Sequence, residues 1–311
     1  MRILSALVSI WLLAGLSFQG QAQESFIAVD GHAGKVLVEF GADRKVQVPG
    51  LVKIATGVVA LDWAKVSGTD LGTMVPVPNT VTRLRGANPL GLQPGDQISL
   101  RDALYSMLLG ADDAAATTVA TYVGYRIQQQ RRLGGVPEAI FVTEMNNLAS
   151  WLGMSATRFG GPSAATNGRG GSTARDMARM SIYAMKHQAF VFFAKQQKRT
   201  ITFVRGGEKK SFQVRNTNEM VGRDGVIGVA AGGPVNAAVH SQRKSRVVKL
   251  ANGTSQVFPR EVTVVVLGSA NRFGRAASLF QQAWPRLEAW QAQGMPLQGT
   301  AQDVLKVPNP K

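Results

Sequence analysis

Strand-type runs stand at the two ends of this chain and helical ones fill the space between them, so a sheet must join segments far apart in sequence. Phe26-Ile27-Ala28-Val29-Asp30 and Lys35-Val36-Leu37-Val38-Glu39-Phe40 flank Gly31-His32-Ala33-Gly34, the composition of a hairpin. Strand composition returns at 199–205, 210–215, 235–241, 245–250 and 260–268. Between these, residues 50–64 carry Leu51, Val52, Ile54, Ala55, Val58, Val59 and Leu61, a mostly apolar helix that should be buried. The segment 67–97 reads as loop and leads to a helix start at Ser99, able to cap, with Asp102 at the third helical position. Helices follow over about 113–125 and 139–152, the second closed by Gly153, with a polar, basic loop over 128–137 between them. Another helix begins at Ser172 or Thr173 and runs toward His187, and a last one covers about 274–291 with Trp284, Leu287 and Trp290 on it. The pattern predicts an α+β fold with one sheet closed by distant segments and a helical subdomain beside it.

The chain opens on Arg2, an apolar run from Ile3 to Phe18, and the small-x-small triplet Gly20-Gln21-Ala22, which reads as a secretory signal cleaved near Ala22. The apolar run falls short of the roughly 20 residues a spanning helix needs. The expected organisation is a signal peptide over 1–22, one domain over 23–292, and a flexible tail over 293–311 marked by Pro296, Pro308 and Pro310. The expected location is therefore secreted or periplasmic, and the tail is too weakly amphipathic to predict a stable membrane anchor. With no cysteine, such a chain must hold its fold by its core. A composition of 45% hydrophobic and 17% charged residues fits a globular domain and excludes wholesale disorder.

The charge is less ordinary. Thirty-five Lys and Arg against 19 Asp and Glu give +16, which becomes +15 without Arg2. Such a surface favours anionic partners. No groove-reading motif for nucleic acid is present, so the expected partner is peptidoglycan or another anionic envelope component, with a protein partner as the other kind. A generally basic, solvated surface accounts for the same dispersed charges. The run Arg243-Lys244-Ser245-Arg246, with Lys249 beyond it, reads equally as a polyanion patch or as a sheet edge protected by charge. Arg131-Arg132 and Lys209-Lys210 read as loop charges, and Arg175 with Asp176 as the anchor of a helix start. His32, His187 and His240 show no metal-ligand spacing, so structural or surface roles are expected for them and no cofactor or metal is implied.

A longer pattern is more specific. Phe141-Val142-x-x-Met145-Asn146-x-x-Ala149-x-x-Leu152-Gly153-Met154-x-x-Thr157-x-Phe159, then Pro162, then Ser172-Thr173-Ala174-Arg175-Asp176-Met177-Ala178, resembles the D-alanyl-D-alanine carboxypeptidases, the small penicillin-binding proteins of the cell wall. The opening hairpin and Asn216-Thr217-Asn218 agree in order and spacing. The resemblance implies a β-lactamase/transpeptidase-like fold, an antiparallel sheet flanked by helices, with a site between the sheet and a helical subdomain. It also implies acyl transfer on a D-Ala-D-Ala peptide. That chemistry needs a serine nucleophile, a lysine one helical turn on, a Ser-x-Asn loop and a Lys-Thr-Gly strand, with backbone N–H groups stabilising the oxyanion.

The sequence departs from that pattern at three places. In Val48-Pro49-Gly50-Leu51-Val52-Lys53, Gly50 stands where the nucleophile belongs, and Lys53 is kept. In Leu109-Gly110-Ala111-Asp112-Asp113, Gly110 stands for the serine and Asp112 for the asparagine. In Asp224-Gly225-Val226-Ile227-Gly228-Val229, Ile227, Gly228 and Val229 stand for Lys, Thr and Gly. No catalytic set is intact. An ion pair of Lys53 with Asp112 in the remnant cleft is expected, favouring the charged ammonium over the free amine a base must present. Thr56, nearly a turn beyond Lys53, should point into packing. Loss of the nucleophile in a serine enzyme costs on the order of 10⁶ in kcat. The sequence thus predicts a catalytically silent, exported homologue that acts by binding. An active carboxypeptidase using unusual groups is the second reading, and a structural interaction module using its basic surface the third.

Overall fold

The computed structural model describes residues 24–168, 170–232, 236–249, 252–297, 299–300 and 302–310. The signal peptide read over 1–22 lies outside them. In chain order the elements are β1 (Ser25–Asp30), β2 (Val36–Phe40), α1 (Val52–Ser67), β3 (Met74–Pro76), a 3-10 turn (Asn79–Arg83), β4 (Gln97–Ser99), α2 (Leu100–Leu109), α3 (Asp113–Arg131), α4 (Pro137–Trp151), α5 (Ala174–Lys186) and α6 (Gln188–Ala194). There follow β5 (Lys198–Arg205), β6 (Glu208–Arg215), β7 (Val226–Gly232), β8 (Ala237–Arg243), β9 (Arg246–Lys249), β10 (Ser255–Phe258), β11 (Glu261–Leu267) and α7 (Arg272–Ala292).

Distant segments do close the main sheet. Its five antiparallel strands run in the order β2-β1-β11-β8-β7, and β1 is zipped to β11 from Ser25↔Leu267 to Asp30↔Val262. The apolar run of β11 explains its central place. Val262, Val264 and Val266 face α7, while Val265 and Leu267 face the other core. A strand buried on both sides reads as a continuous apolar run rather than an alternation. α7 lays Ala276, Leu279, Phe280, Ala283, Trp284, Leu287 and Trp290 on one face of the sheet, a helical-period stripe. On the other face α5 covers β1 and β11, and α6 and α1 meet β7. Beyond α1 lie α2, α3 and α4 with a second, four-stranded antiparallel sheet ordered β3-β4-β5-β6.

Local sequence sets the helix ends. Ser99 Oγ accepts from Asp102 N, and Thr173 Oγ1, rather than Ser172, accepts from Asp176 N, each a side-chain N-cap. Gly153 takes φ of +71° just after α4, the left-handed conformation that glycine adopts without penalty.

Three expectations need correction. The Gly- and Ala-rich run 226–232, outside the runs of strand composition but matched by the resemblance to the Lys-Thr-Gly strand, is an edge strand paired to β8 with a bulge between Val226 and Gly228. Residues 188–194, not anticipated as a helix, form α6, started by the His187 side chain accepting from Phe190 N. The tail expected to be flexible instead docks. Lys35 bridges to Val304, Leu305 N donates to Gly34 O, and Val304 and Leu305 are buried. Arg175 donates to Gln302 O and Lys186 to Val307 O. Prolines exclude regular structure there, but two apolar side chains and backbone hydrogen bonds hold the segment. Among the described residues, no helix is long and apolar enough to cross a membrane.

Candidate functional site

The first turn of α1, the α2–α3 junction and β7 converge, α1 packing on both α3 and β7. Gly50 is buried just ahead of α1, and Lys53 lies in its first turn. Lys53 Nζ lies 2.5 Å from Asp113 Oδ1, and both side chains are only 4% exposed.

The expected partner was Asp112, and the structure moves the pair one residue on. Asp112 is the N-cap of α3: its Oδ1 accepts from Ala115 N at 2.9 Å and its Oδ2 from Ser106 Oγ at 2.7 Å. Both oxygens are thereby engaged in starting the helix. Asp113 is the first helical residue, so its carboxylate points elsewhere, toward α1. Burial pushes the Asp112 carboxyl above its ordinary range, opposed by the hydrogen bonds from Ala115, Ser106 and Ala114 and by the field of Lys53.

Two loops close over the ion pair. Ala87 N donates to Asp113 Oδ2 at 3.0 Å, and Ala164 N donates to Asp113 Oδ1 at 2.9 Å. A Cβ at Gly86 would come within 2.2 Å of Asp113 Oδ2 and 2.7 Å of Ala165 Cβ, so both segments press directly on the carboxylate.

The other motif positions are shaped for glycine. At Gly110 a Cβ would meet Val214 Cγ1 at 2.9 Å and the Ser106 carbonyl at 3.0 Å, so the serine's place is occupied by packing. Gly228 has φ of +119°, and a Cβ there would lie 2.9 Å from the Ala194 carbonyl oxygen. A β-branched threonine is strained at that backbone conformation. Ile227 is half-buried against the main core, and Val229 is buried within it. Farther along β7, Gly232 approaches Ala111, which itself sits at φ of +55°.

Two hydroxyls on the flanking helices have other duties. Thr56 Oγ1 donates to the Pro162 carbonyl at 2.6 Å, in packing as expected. Ser106, buried, donates to Asp112. What the site holds is the buried Lys53–Asp113 pair, braced by two backbone N–H groups.

His240 is buried on β8 at Cα register with Val264 and Val229. Burial, with the Arg272 charge adding, pushes its pKa down to about 3. His187 caps α6 and lies 3.4 Å from Asp62 Oδ1. Both histidines therefore serve the scaffold.

Comparison with solved structures bears on the fold. The crystal structure of the Streptomyces K15 DD-transpeptidase superimposes with a TM-score of 0.67 at 24% identity, covering 84% of this chain and 96% of that one. Penicillin binding protein 6B from Escherichia coli superimposes with a TM-score of 0.60 at 21% identity, covering 86% of this chain and 76% of that one. The fold is thus α+β and penicillin-binding-protein-like. The family description D-alanyl-D-alanine carboxypeptidase matches residues 17–241, and the chain belongs to that family. A D-alanyl-D-alanine endopeptidase of Pseudomonas aeruginosa is 30% identical over 210 residues, 67% of this chain and 62% of that protein. A D-alanyl-D-alanine carboxypeptidase of Escherichia coli is 30% identical over 184 residues, 58% of this chain and 43% of that protein. The chain thus matches less than two thirds of the length of either relative.

Proposed function

We propose that this chain is an exported family member without acyl-transfer activity, acting in the cell envelope by binding. One observation carries the reading: Gly50 supplies no oxygen to acylate, while the lysine that would take the proton is buried against Asp113. With its amine held against Asp113, the lysine is not free to take a proton from an attacking group. The binding partner is peptidoglycan or another anionic envelope component, supported by the +16 balance of the sequence. Closure over Lys53 favours the outer surface over the remnant cleft as the working part.

The test is the intact mass of the protein after incubation with excess penicillin, with a co-sedimentation assay on insoluble peptidoglycan. An unchanged mass with salt-sensitive co-sedimentation is expected. A mass raised by one drug molecule would overturn the silent reading in favour of an active carboxypeptidase. Failure to sediment would move the partner from peptidoglycan to a protein.

A further inference from the structure

A second pocket lies where the β6–β7 connection folds back toward the start of β5. Its volume is about 390 Å³, and among its lining residues are Lys198, Arg215, Asn218, Glu219 and Arg223. Three cations surround it against one carboxylate, an excess of two positive charges. Lys198 and Arg215 are direct Cα partners across β5 and β6, and like charges placed opposite each other on a sheet repel. Among the described residues, none of Lys198, Arg215 and Arg223 is in an ion pair.

The amides around the pocket have defined duties, with one exception. Asn216 Nδ2 donates to the carbonyls of Ala194 and Gln196, and its Oδ1 accepts from Asn218 N. The neighbouring Gln197 Nε2 donates to the Val221 carbonyl. Asn218 is 2% exposed and its Oδ1 accepts from Met220 N, yet its Nδ2 has no acceptor among the described residues. A buried amide donor left unmatched costs free energy, and nearly all such groups find a partner. The turn that carries Arg223 is fixed by Arg223 N donating to Met220 O and Val226 N to Arg223 O. The pocket therefore combines two guanidinium groups and an ammonium on a hydrogen-bonded frame, with the unmatched N–H of Asn218 buried in its wall.

We propose that this pocket binds a doubly charged oxyanion, a phosphate or a phosphate monoester. Two excess positive charges match a dianion, and arginine forks engage its oxygens bidentately. The Asn218 amide supplies a directed donor to one oxygen. The volume exceeds a bare phosphate and leaves room for the alcohol of a monoester. This site is separate from Lys53 and does not depend on the reading of the remnant cleft.

The experiment is a titration of the whole protein at constant ionic strength with inorganic phosphate, glycerol 3-phosphate and acetate, following the Asn218 side-chain amide by nitrogen–proton NMR. Saturable shifts with both phosphates and little with acetate are expected. Tighter glycerol 3-phosphate would assign the site to a monoester, and equal affinity would assign it to the bare ion. Arg215→Gln and Arg223→Gln, both at exposed positions, should each weaken binding about tenfold, one charge-assisted contact's worth. Asn218→Asp, followed through the backbone amides of the pocket, keeps the acceptor for Met220 N and should abolish binding with thermal unfolding still cooperative. Lys244→Gln, on another surface, should change nothing. No saturable shift, acetate bound as tightly as phosphate, or binding untouched by the two arginine changes would each overturn the proposal.

Discussion

Lys53 Nζ and Asp113 Oδ1 meet at 2.5 Å in a place where neither side chain is more than 4% exposed. The two partners are not equally dependent on each other. Asp113 also accepts from Ala87 N and Ala164 N, whereas Lys53 has no other acceptor among the described residues. Removing one member of a buried pair leaves an uncompensated charge, a loss of about 3–5 kcal/mol. Asp113→Ala should therefore fall in that range, and Lys53→Met should cost about 1–2 kcal/mol less, because two N–H donors still hold the carboxylate. Urea unfolding of both variants checks the order; a costlier Lys53→Met would contradict it.

Restoring the missing serine alone should not restore chemistry. Gly50→Ser supplies an oxygen, but Lys53 stays paired and Gly110 and Gly228 stay packed against Val214 and Ala194. Intact mass after penicillin should remain unchanged in the variant. Adding Gly228→Thr should destabilise the fold by about 1–3 kcal/mol, since the +119° φ resists a branched side chain. Thermal unfolding measures that cost.

Stability should fall on mild acidification because of His240. Its folded pKa is about 3 against an ordinary 6.5, so below pH 6.5 the unfolded chain takes up a proton that the folded one refuses. The contribution is fully present above 6.5 and erodes down to about 3, with a slope approaching about 1.4 kcal/mol per pH unit. His240→Leu should flatten the curve between pH 6.5 and 5, a range in which ordinary carboxylates stay ionised. Denaturant midpoints across that range test it, and parallel curves for the two proteins would refute it.

Arg175 should control the docked tail. Its buried guanidinium reaches Glu39, Asp43 and the Gln302 carbonyl, and the two carboxylates hold its pKa above the usual value despite burial. Arg175→Ala should cost about 1–3 kcal/mol and expose the Leu305 amide, which donates to Gly34 O. Hydrogen exchange at Leu305 should rise while β11 stays protected.

Much of the scaffold is legible in the sequence because it depends on local chemistry. The opening hairpin, the caps at Ser99 and Thr173 and the stop at Gly153 need only their own neighbours. What escapes depends on tertiary partners. Gln188-Ala189-Phe190-Val191-Phe192-Phe193-Ala194 has a strand's composition and becomes a helix because His187 caps it and Phe190 and Phe193 enter the core. The run 226–232 carries two glycines and becomes a strand through its register with β8. Of the adjacent Asp112 and Asp113, composition cannot say which faces Lys53; the cap decides, since consecutive residues at a helix start point in different directions.

The pairing of Ser25 with Leu267 also sets the order of assembly. The central strand of the main sheet is the last to emerge in chain order, so until it arrives the β1–β2 hairpin and the β7–β8 pair have no common neighbour. Closing a loop of that length carries a large entropic cost before any contact rewards it, and such topologies fold slowly. The helices between rest on contacts closer in sequence, but the main sheet cannot close until its last strand is present.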